Sequence, residues 1–297
     1  MKKKYVTHIL LFALMTLVIF TGCKKDEMEQ GNLWLYLTDA PIDMEGLEGV
    51  YITFTGISYQ VEGESWQSME DFNGPVIFNL LELTGGETAL MGNFEVPAGH
   101  YTGLRFHLDA TQWGMGPVNN PGCFLKYEND SIPLFVPSGE QTGYKAVGQF
   151  TVPANGSVDI TADFDARKSV VKAGMSGLYL LKPTIRITVN NQAGAIEGKI
   201  LNMPENGSVV VYAYESDTYT EEEAGDPEEG ESRFPGAVTS YKAEETGDFI
   251  LSYLAPGSYD LVVGLYEEDS FVSVNKVEED IEVVSGETTL HDIELNP

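Results

Sequence analysis

The sequence predicts an all-β protein: two tandem antiparallel β-sandwich domains behind an N-terminal export segment. Three observations predict it. Helical periodicity is almost absent beyond the N-terminal segment, short β-branched and aromatic runs recur along the chain, and Gly, Pro, Asn and Asp punctuate them at regular intervals. Leu33-Trp34-Leu35-Tyr36-Leu37, Val50-Tyr51-Ile52-Thr53-Phe54 and Val209-Val210-Val211-Tyr212 read as strands, since such side chains pack well on a pleated, half-buried surface. Glu62-Gly63, Asn73-Gly74, Gly85-Gly86, Ala98-Gly99, Asn155-Gly156 and Pro256-Gly257 read as turns. Their spacing suits hairpins between antiparallel strands rather than the long crossovers of βαβ units.

The polar triplet Asn190-Asn191-Gln192 separates a strand-like run, Leu178 to Val189, from another, Ala195 to Ile200. It divides the mature chain into domains at 31–190 and 193–297, each long enough for its own core. Pro97-Ala98-Gly99-His100-Tyr101 and Ala255-Pro256-Gly257-Ser258-Tyr259 echo each other. In both, a Pro/Gly turn is followed by a tyrosine expected to pack inward while its hydroxyl finds a backbone partner. The stretch from Thr218 to Arg233 carries Glu221, Glu222, Glu223, Asp226, Glu228, Glu229 and Glu231 and reads as a mobile acidic loop.

Lys2, Lys3 and Lys4 precede an uncharged apolar run from Ile9 to Phe20, the pattern of a secretory signal over residues 1–22. As a helix the run rises only about 18 Å, too short for a hydrocarbon core of roughly 30 Å. Phe20-Thr21-Gly22-Cys23 resembles a bacterial lipobox, which implies lipid on Cys23 and membrane attachment through a tether at 23–30. Lys24-Lys25-Asp26-Glu27 resembles the export tag of surface-exposed lipoproteins in one Gram-negative phylum, implying an outer-membrane lipoprotein facing the cell surface or, alternatively, the periplasm. With Cys23 lipidated, Cys123 has no partner for an intramolecular disulfide, and stability must come from burial.

The formal charge is −29, and loss of residues 1–22 removes three lysines and no acid. Such a field repels nucleic acid and excludes it as a partner, leaving cations, basic proteins and neutral glycans.

Candidate chemistry is sparse. His100, His107 and His291 are the histidines beyond the signal, and no G-x-S-x-G nucleophile elbow or close His/Cys spacing for a transition metal occurs. No cofactor is expected. Asp39 with Asp43 and Asp163 with Asp165 are weak calcium candidates, offering the oxygen ligands this ion prefers without the spacing of a calcium loop. Among 46 acids some carboxylate pair at hydrolase spacing is inevitable, so pairing alone says nothing. Trp66 and Trp113 are the better candidates for ligand contact, because both lie in polar or glycine-rich surroundings and an exposed indole can stack on a sugar ring. The loop from Gly114 to Gly122 beside Trp113 is rich in Gly, Pro and Asn and reads as surface-forming.

Five pieces of the first domain resemble, in order, bacterial lipoprotein domains of unknown-function family 4382. They are Leu35 to Pro41 (LYLTDAP), Phe78 to Leu83, Pro97 to Phe106, Asp163 to Val170 (DFDARKSV) and Leu181 to Arg186 (LKPTIR). The second domain is similar to transthyretin-like, carboxypeptidase-regulatory-like sandwiches grouped with carbohydrate-binding-like folds. That similarity rests on Gly194-Ala195-Ile196-Glu197-Gly198, Gly247 to Leu251, Leu254 to Val263 and Val283 to Thr289. Pilin sandwiches with Lys–Asn crosslinks place an acid in the strand after their Pro-Gly-x-Tyr turn; here that inward position is Val263, which argues against such a crosslink. The expected function is a non-enzymatic, surface-anchored binding or adhesion module with carbohydrate as the leading ligand by fold analogy. A pilin-like subunit assembling by strand exchange is the alternative, and a carboxylate-based hydrolase the third reading.

Overall fold

A computed structural model describes residues 29–40, 44, 46–112, 122–137, 143–174, 177–228, 230–268 and 270–297. The export segment, Cys23, Asp43 and Trp113 fall outside the described residues.

In the strand Gln30–Ala40, Leu33, Leu35 and Leu37 alternate with more exposed residues and are fully buried, so one face is committed to the core. The strand runs parallel to Ser157–Asp165 and antiparallel to Ala89–Pro97, and Ile185–Val189 completes the sheet. The opposing sheet is organised on Leu47–Val61, flanked by Gly99–Leu108 and Phe124–Tyr127 and extended by Asp130–Val136, Tyr179–Leu181 and Val170–Lys172. One continuous core joins the two sheets. At its centre Phe54 meets Phe78, Phe106 and Phe164 edge-on, with ring centres 5.7 to 6.3 Å apart, the arrangement the aromatic quadrupole favours.

The one-turn 3-10 helix Asn190–Gln192 leads into a second unit. There Gly194–Leu201 pairs with Asp248–Leu254 and Thr288–Leu290, while Thr239–Lys242, Ser208–Glu215, Gly257–Glu267 and Ser270–Val283 form the other sheet. Its core is separate and includes Val263, fully buried as the alternation of its strand requires. The all-β reading thus holds, with mixed pairing: Gln30–Ala40 and Gly194–Leu201 each run parallel to one neighbour strand or more.

Both echoed turns use one device. Tyr101 is fully buried and donates its hydroxyl to the Pro97 carbonyl at 2.6 Å; Tyr259, 3% exposed, donates to the Ala255 carbonyl at 2.9 Å. Replacing either by Phe keeps the ring and strands a carbonyl, so Tyr101→Phe and Tyr259→Phe should each cost about 1 kcal/mol in denaturant unfolding. Additive losses in the double variant are expected because the two sites lie in different cores.

The acidic stretch is not a free loop, which corrects the sequence expectation. Tyr219 packs edge-on against Tyr214 with ring centres 5.1 Å apart, and Glu221–Ala224 forms a turn of 3-10 helix. Glu223 accepts hydrogen bonds from the Tyr214 hydroxyl at 2.9 Å and the Gly236 N–H at 2.8 Å. Arg233 pairs with Asp226 at 2.9 Å. The segment covers a third cluster made by Val210, Tyr212, Tyr214 and Val262 on the outer face of the sheet, with Phe234 filling it. The physical reason was present in Val209 to Tyr214, six consecutive buried residues: a strand apolar on both faces needs a cover on both.

Candidate functional site

The polar residues of the first unit gather in two places. One is the outer face of the larger sheet. In Gly99–Leu108, Leu104 and Phe106 are buried in the core, so Arg105 and His107 fall on the opposite face. Register sets Ser58 and Lys145 on either side of Arg105. Trp66 returns over this face from the turn after Leu47–Val61, and the Arg105 guanidinium carbon lies 3.9 Å from its ring centre, a cation–π stack. Gly103 permits the approach: a Cβ there would stand 2.9 Å from the indole and 3.1 Å from the Lys145 stem. Trp66 is therefore half-buried with Arg105 over its ring, rather than a bare platform.

On the same face Ser58 Oγ lies 2.8 Å from His107 Nε2. Burial, and secondarily the Arg105 charge, hold this imidazole below its ordinary pKa. The pair resembles part of a hydrolytic dyad, but Ser58 sits mid-strand with neighbours on both sides, opposite Arg105 and Ser68. Its strand is paired on both sides there, so its backbone is engaged in ladders rather than set in a turn of the kind that exposes a nucleophile. His100 instead contacts Thr151 at 3.3 Å and Gln149 at 3.2 Å, and His291 lies 3.8 Å from Glu278.

The second place is where Gln30–Ala40 and Ser157–Asp165 end side by side, with Thr38 opposite Asp163 and Ala40 opposite Asp165. Asp39 accepts the Ala166 N–H at 2.9 Å. Asp165 caps the short helix Ala166–Ser169, accepting from Lys168 N at 3.0 Å, and pairs with Arg167 at 3.2 Å. Asp163 pairs with Arg186 at 2.6 Å. The cations then reach into the second unit. Arg167 donates to the carbonyls of Arg233 and Phe234 at 2.8 and 2.9 Å, Arg186 to that of Tyr253 at 2.7 Å, Lys182 to that of Gly230 at 2.6 Å, and Lys168 to that of Ala237. Described residues of three resembling motifs, Asp39 of the first, Asp163 to Lys168 of the second and Lys182 and Arg186 of the third, thus converge on one junction.

Three sequence-proposed calcium candidates, Asp39, Asp163 and Asp165, do come together here, each at most 5% exposed. Asp165 pairs with Arg167 and Lys168 and Asp163 with Arg186, while Asp39 has no ion pair among the described residues, so the three acids face three cations in formal number. Among the described residues no three His, Cys, Asp or Glu side chains are placed to hold a metal ion.

Burial pushes the Asp39 carboxyl well above its ordinary range, with Asp163 and Asp165 adding to the effect and the Ala166 hydrogen bond opposing it. Burial also raises Asp163 against the pull of Arg186. The folded state therefore holds these protons more tightly than the unfolded chain. Stability gains as pH falls through the raised values toward the ordinary carboxylate range and diminishes as pH rises through them. Asp39→Asn, which keeps an acceptor for Ala166 and removes the buried charge, should raise the melting temperature at pH 7 by a few degrees and flatten its slope between pH 4 and 7, read from a series of thermal melts.

An open groove of about 710 Å³ on the second unit is lined by Pro256, Gly257, Ser258, Asp280 and Glu282. Its two acids come from one strand, with Asp280 at the bulge where the pairing with Gly257–Glu267 shifts register.

Sequence reading reached Trp66 and missed Arg105 and Lys145, because their meeting is a product of strand register alone. A search of curated proteins finds no match. Among solved structures the chain is similar to the minor pilin GBS52 of Streptococcus agalactiae, at 14% identity, a TM-score of 0.23 and coverage of 89% of this chain and 96% of that one. It is also similar to the shaft pilin SpaA of Lactobacillus rhamnosus GG, at 11%, 0.24, and 91% and 98% coverage. A third is the Bacillus anthracis TIE protein, at 11% and 0.21, where 90% of this chain spans 34% of that protein. Likeness at these TM-scores carries no argument about function. The family model described as "Domain of unknown function (DUF4382)" matches residues 30–183, from the start of the first strand through the strand Tyr179–Leu181. That match covers more than half of the chain, which accordingly belongs to the DUF4382 family.

Proposed function

We propose that this protein is a non-enzymatic, surface-anchored binding module whose leading ligand class is carbohydrate. The observation that carries it is the Trp66–Arg105 stack on the outer face of the larger sheet, which sets a half-buried indole beside a guanidinium that has no ion pair among the described residues. In this reading residues 1–22 are cleaved, lipidated Cys23 and the tether to residue 30 fasten the chain to the outer membrane, and domains 31–190 and 193–297 are displayed from it. The second domain is read as a carboxypeptidase-regulatory-like sandwich, which its two packed sheets support. Cys23→Ala should release the protein from the membrane fraction, and retention there would count against the anchor.

A glycan-array screen of the soluble chain from Gly31 to Pro297, with and without calcium, tests the ligand class. Specific binding that drops at least tenfold in Trp66→Ala or Trp113→Ala is expected, whereas a blank array in both conditions overturns carbohydrate binding.

Assembly by strand exchange has one observation in its favour: Ser270–Val283, fourteen residues long, forms the edge of its sheet with Val272 52% exposed. The same strand carries Lys276, Glu278, Glu279 and Asp280 and three register shifts against its partner. Charge and bulges are the means by which edges avoid pairing. The soluble chain is accordingly expected to be monomeric by light scattering at concentrations up to the millimolar range, and concentration-dependent oligomers would restore the appendage reading.

A further inference from the structure

We propose that Arg105, Lys145 and Trp66 form a recognition site for the carboxylate of an acidic sugar, a uronate or sialate unit within a glycan. This deepens the carbohydrate reading and rests on it.

The argument starts from a local conflict. Arg105 and Lys145 are direct partners across an antiparallel pair of strands, and like charges in that position destabilise a sheet. The chain has 46 acids for 17 Lys and Arg residues, an ample supply of neutralising partners. Every other described arginine uses them, Arg167, Arg186 and Arg233 each lying within 3.2 Å of a carboxylate, as do Lys168 and Lys276 within 3.5 Å, whereas Lys126 and Lys172 have no ion pair among the described residues. Among the described residues neither Arg105 nor Lys145 has an ion pair, and the buried Nε of Arg105 has no hydrogen-bond partner. Trp66 over Arg105 offsets part of this conflict, but no carboxylate among the described residues neutralises the pair; a rule broken in this way is expected at functional sites, and the partner it calls for is an anion.

The form of that anion follows from the side chains. Trp66 holds the guanidinium carbon 3.9 Å from its ring centre, and a guanidinium carries paired N–H groups in the geometry that matches a carboxylate. Lys145 adds a mobile point charge beside it. The Ser58–His107 pair and Gln60, on the same face, offer donors and acceptors suited to sugar hydroxyls. The net charge of −29 repels densely charged polyanions, so nucleic acid and heavily sulfated chains are disfavoured, whereas isolated carboxylates held at one site are accommodated.

The test uses the soluble chain against hexamers of galacturonic acid and their methyl esters, and sialyllactose against lactose, measured by calorimetry. The acid form of a pair is expected to bind at least tenfold more tightly than its neutral counterpart. Arg105→Lys should lose about tenfold for the acid and little for the neutral form, and Lys145→Gln about threefold. Lys145→Glu, which pairs with Arg105, should raise the melting temperature while abolishing acid binding; this separates a lost site from a lost fold. Equal affinity for acid and neutral forms, or full acid binding by Arg105→Lys, overturns the carboxylate site and leaves the carbohydrate reading standing. Absence of binding to any glycan overturns both, and binding of polyglutamate in preference to every sugar replaces the sugar with an acidic protein partner. A melting temperature that falls in Lys145→Glu shows that no charge conflict exists and overturns the inference independently of any ligand.

Discussion

Arg186→Ala is expected to destabilise the protein by about 3–5 kcal/mol, the range for removing one partner of a buried ion pair. Arg186 bonds Asp163 at 2.6 Å and the Tyr253 carbonyl at 2.7 Å, and Asp163 is 4% exposed. The substitution leaves an already perturbed carboxyl without its counter-charge and the second unit without one of its fastenings. At about 2–4 °C per kcal/mol for a chain of this size, the melting temperature should fall by roughly 10 °C. The segment Asn190–Gln192 should be cut faster by protease, because the units it joins open more often. Arg186→Met combined with Asp163→Leu should recover most of the loss, since replacing both members of a buried pair with apolar groups is far less costly than orphaning one. A loss under 1 kcal/mol in the single variant would show that the junction does not couple the units.

Gly198→Ala should be nearly as severe and act on the other core. A Cβ at Gly198 would stand 1.8 Å from the His291 carbonyl oxygen and 2.6 Å from its carbon. Both are backbone atoms, so no side-chain rotation relieves the contact. The neighbouring strand approaches there because its pairing is interrupted between Thr288–Leu290 and Ile293–Glu294. The interruption is held by the His291 N–H on the Glu197 carbonyl and the Lys199 N–H on Asp292, both at 2.9 Å. Forcing these strands apart should cost about 3 kcal/mol, the upper end for overpacking. All three tryptophans, Trp34, Trp66 and Trp113, lie in the first half of the chain. Calorimetry should therefore show an early transition that tryptophan fluorescence does not follow. Coincident fluorescence and calorimetric melting would mean that the two cores unfold as one.

The fold was legible because it is written in local patterns. Leu33, Leu35 and Leu37 declare a buried strand face by period alone, and the Pro/Gly–Tyr echo announced two buried tyrosines with backbone partners before either was placed. The acidic stretch is where composition misleads: its charge points to solvent, while Tyr219 and the neighbouring Phe234 fill the outer face left apolar by Val210, Tyr212 and Tyr214.

Sites behaved differently. Asp163 and Asp165 stand out as a pair in the sequence, but nothing local says that Arg167, Lys168 and Arg186 neutralise them or that carbonyls of the second unit take up the remaining donors of those cations. Trp66 stands out in the sequence for its polar surroundings. That Arg105 lies over its ring, with Lys145 opposite, depends on pairings between segments far apart in the chain.

By itself, then, the sequence determined the elements, their buried faces, the membership of the DUF4382 family and the acidic field, because each is a sum over neighbouring residues or over composition. Only the tertiary structure decided which polar groups meet, since a carboxylate and a guanidinium find each other through strand register. Register is fixed by the packing of the opposite face, where Leu104, Phe106, Ile57 and Tyr59 leave Arg105 one place to stand.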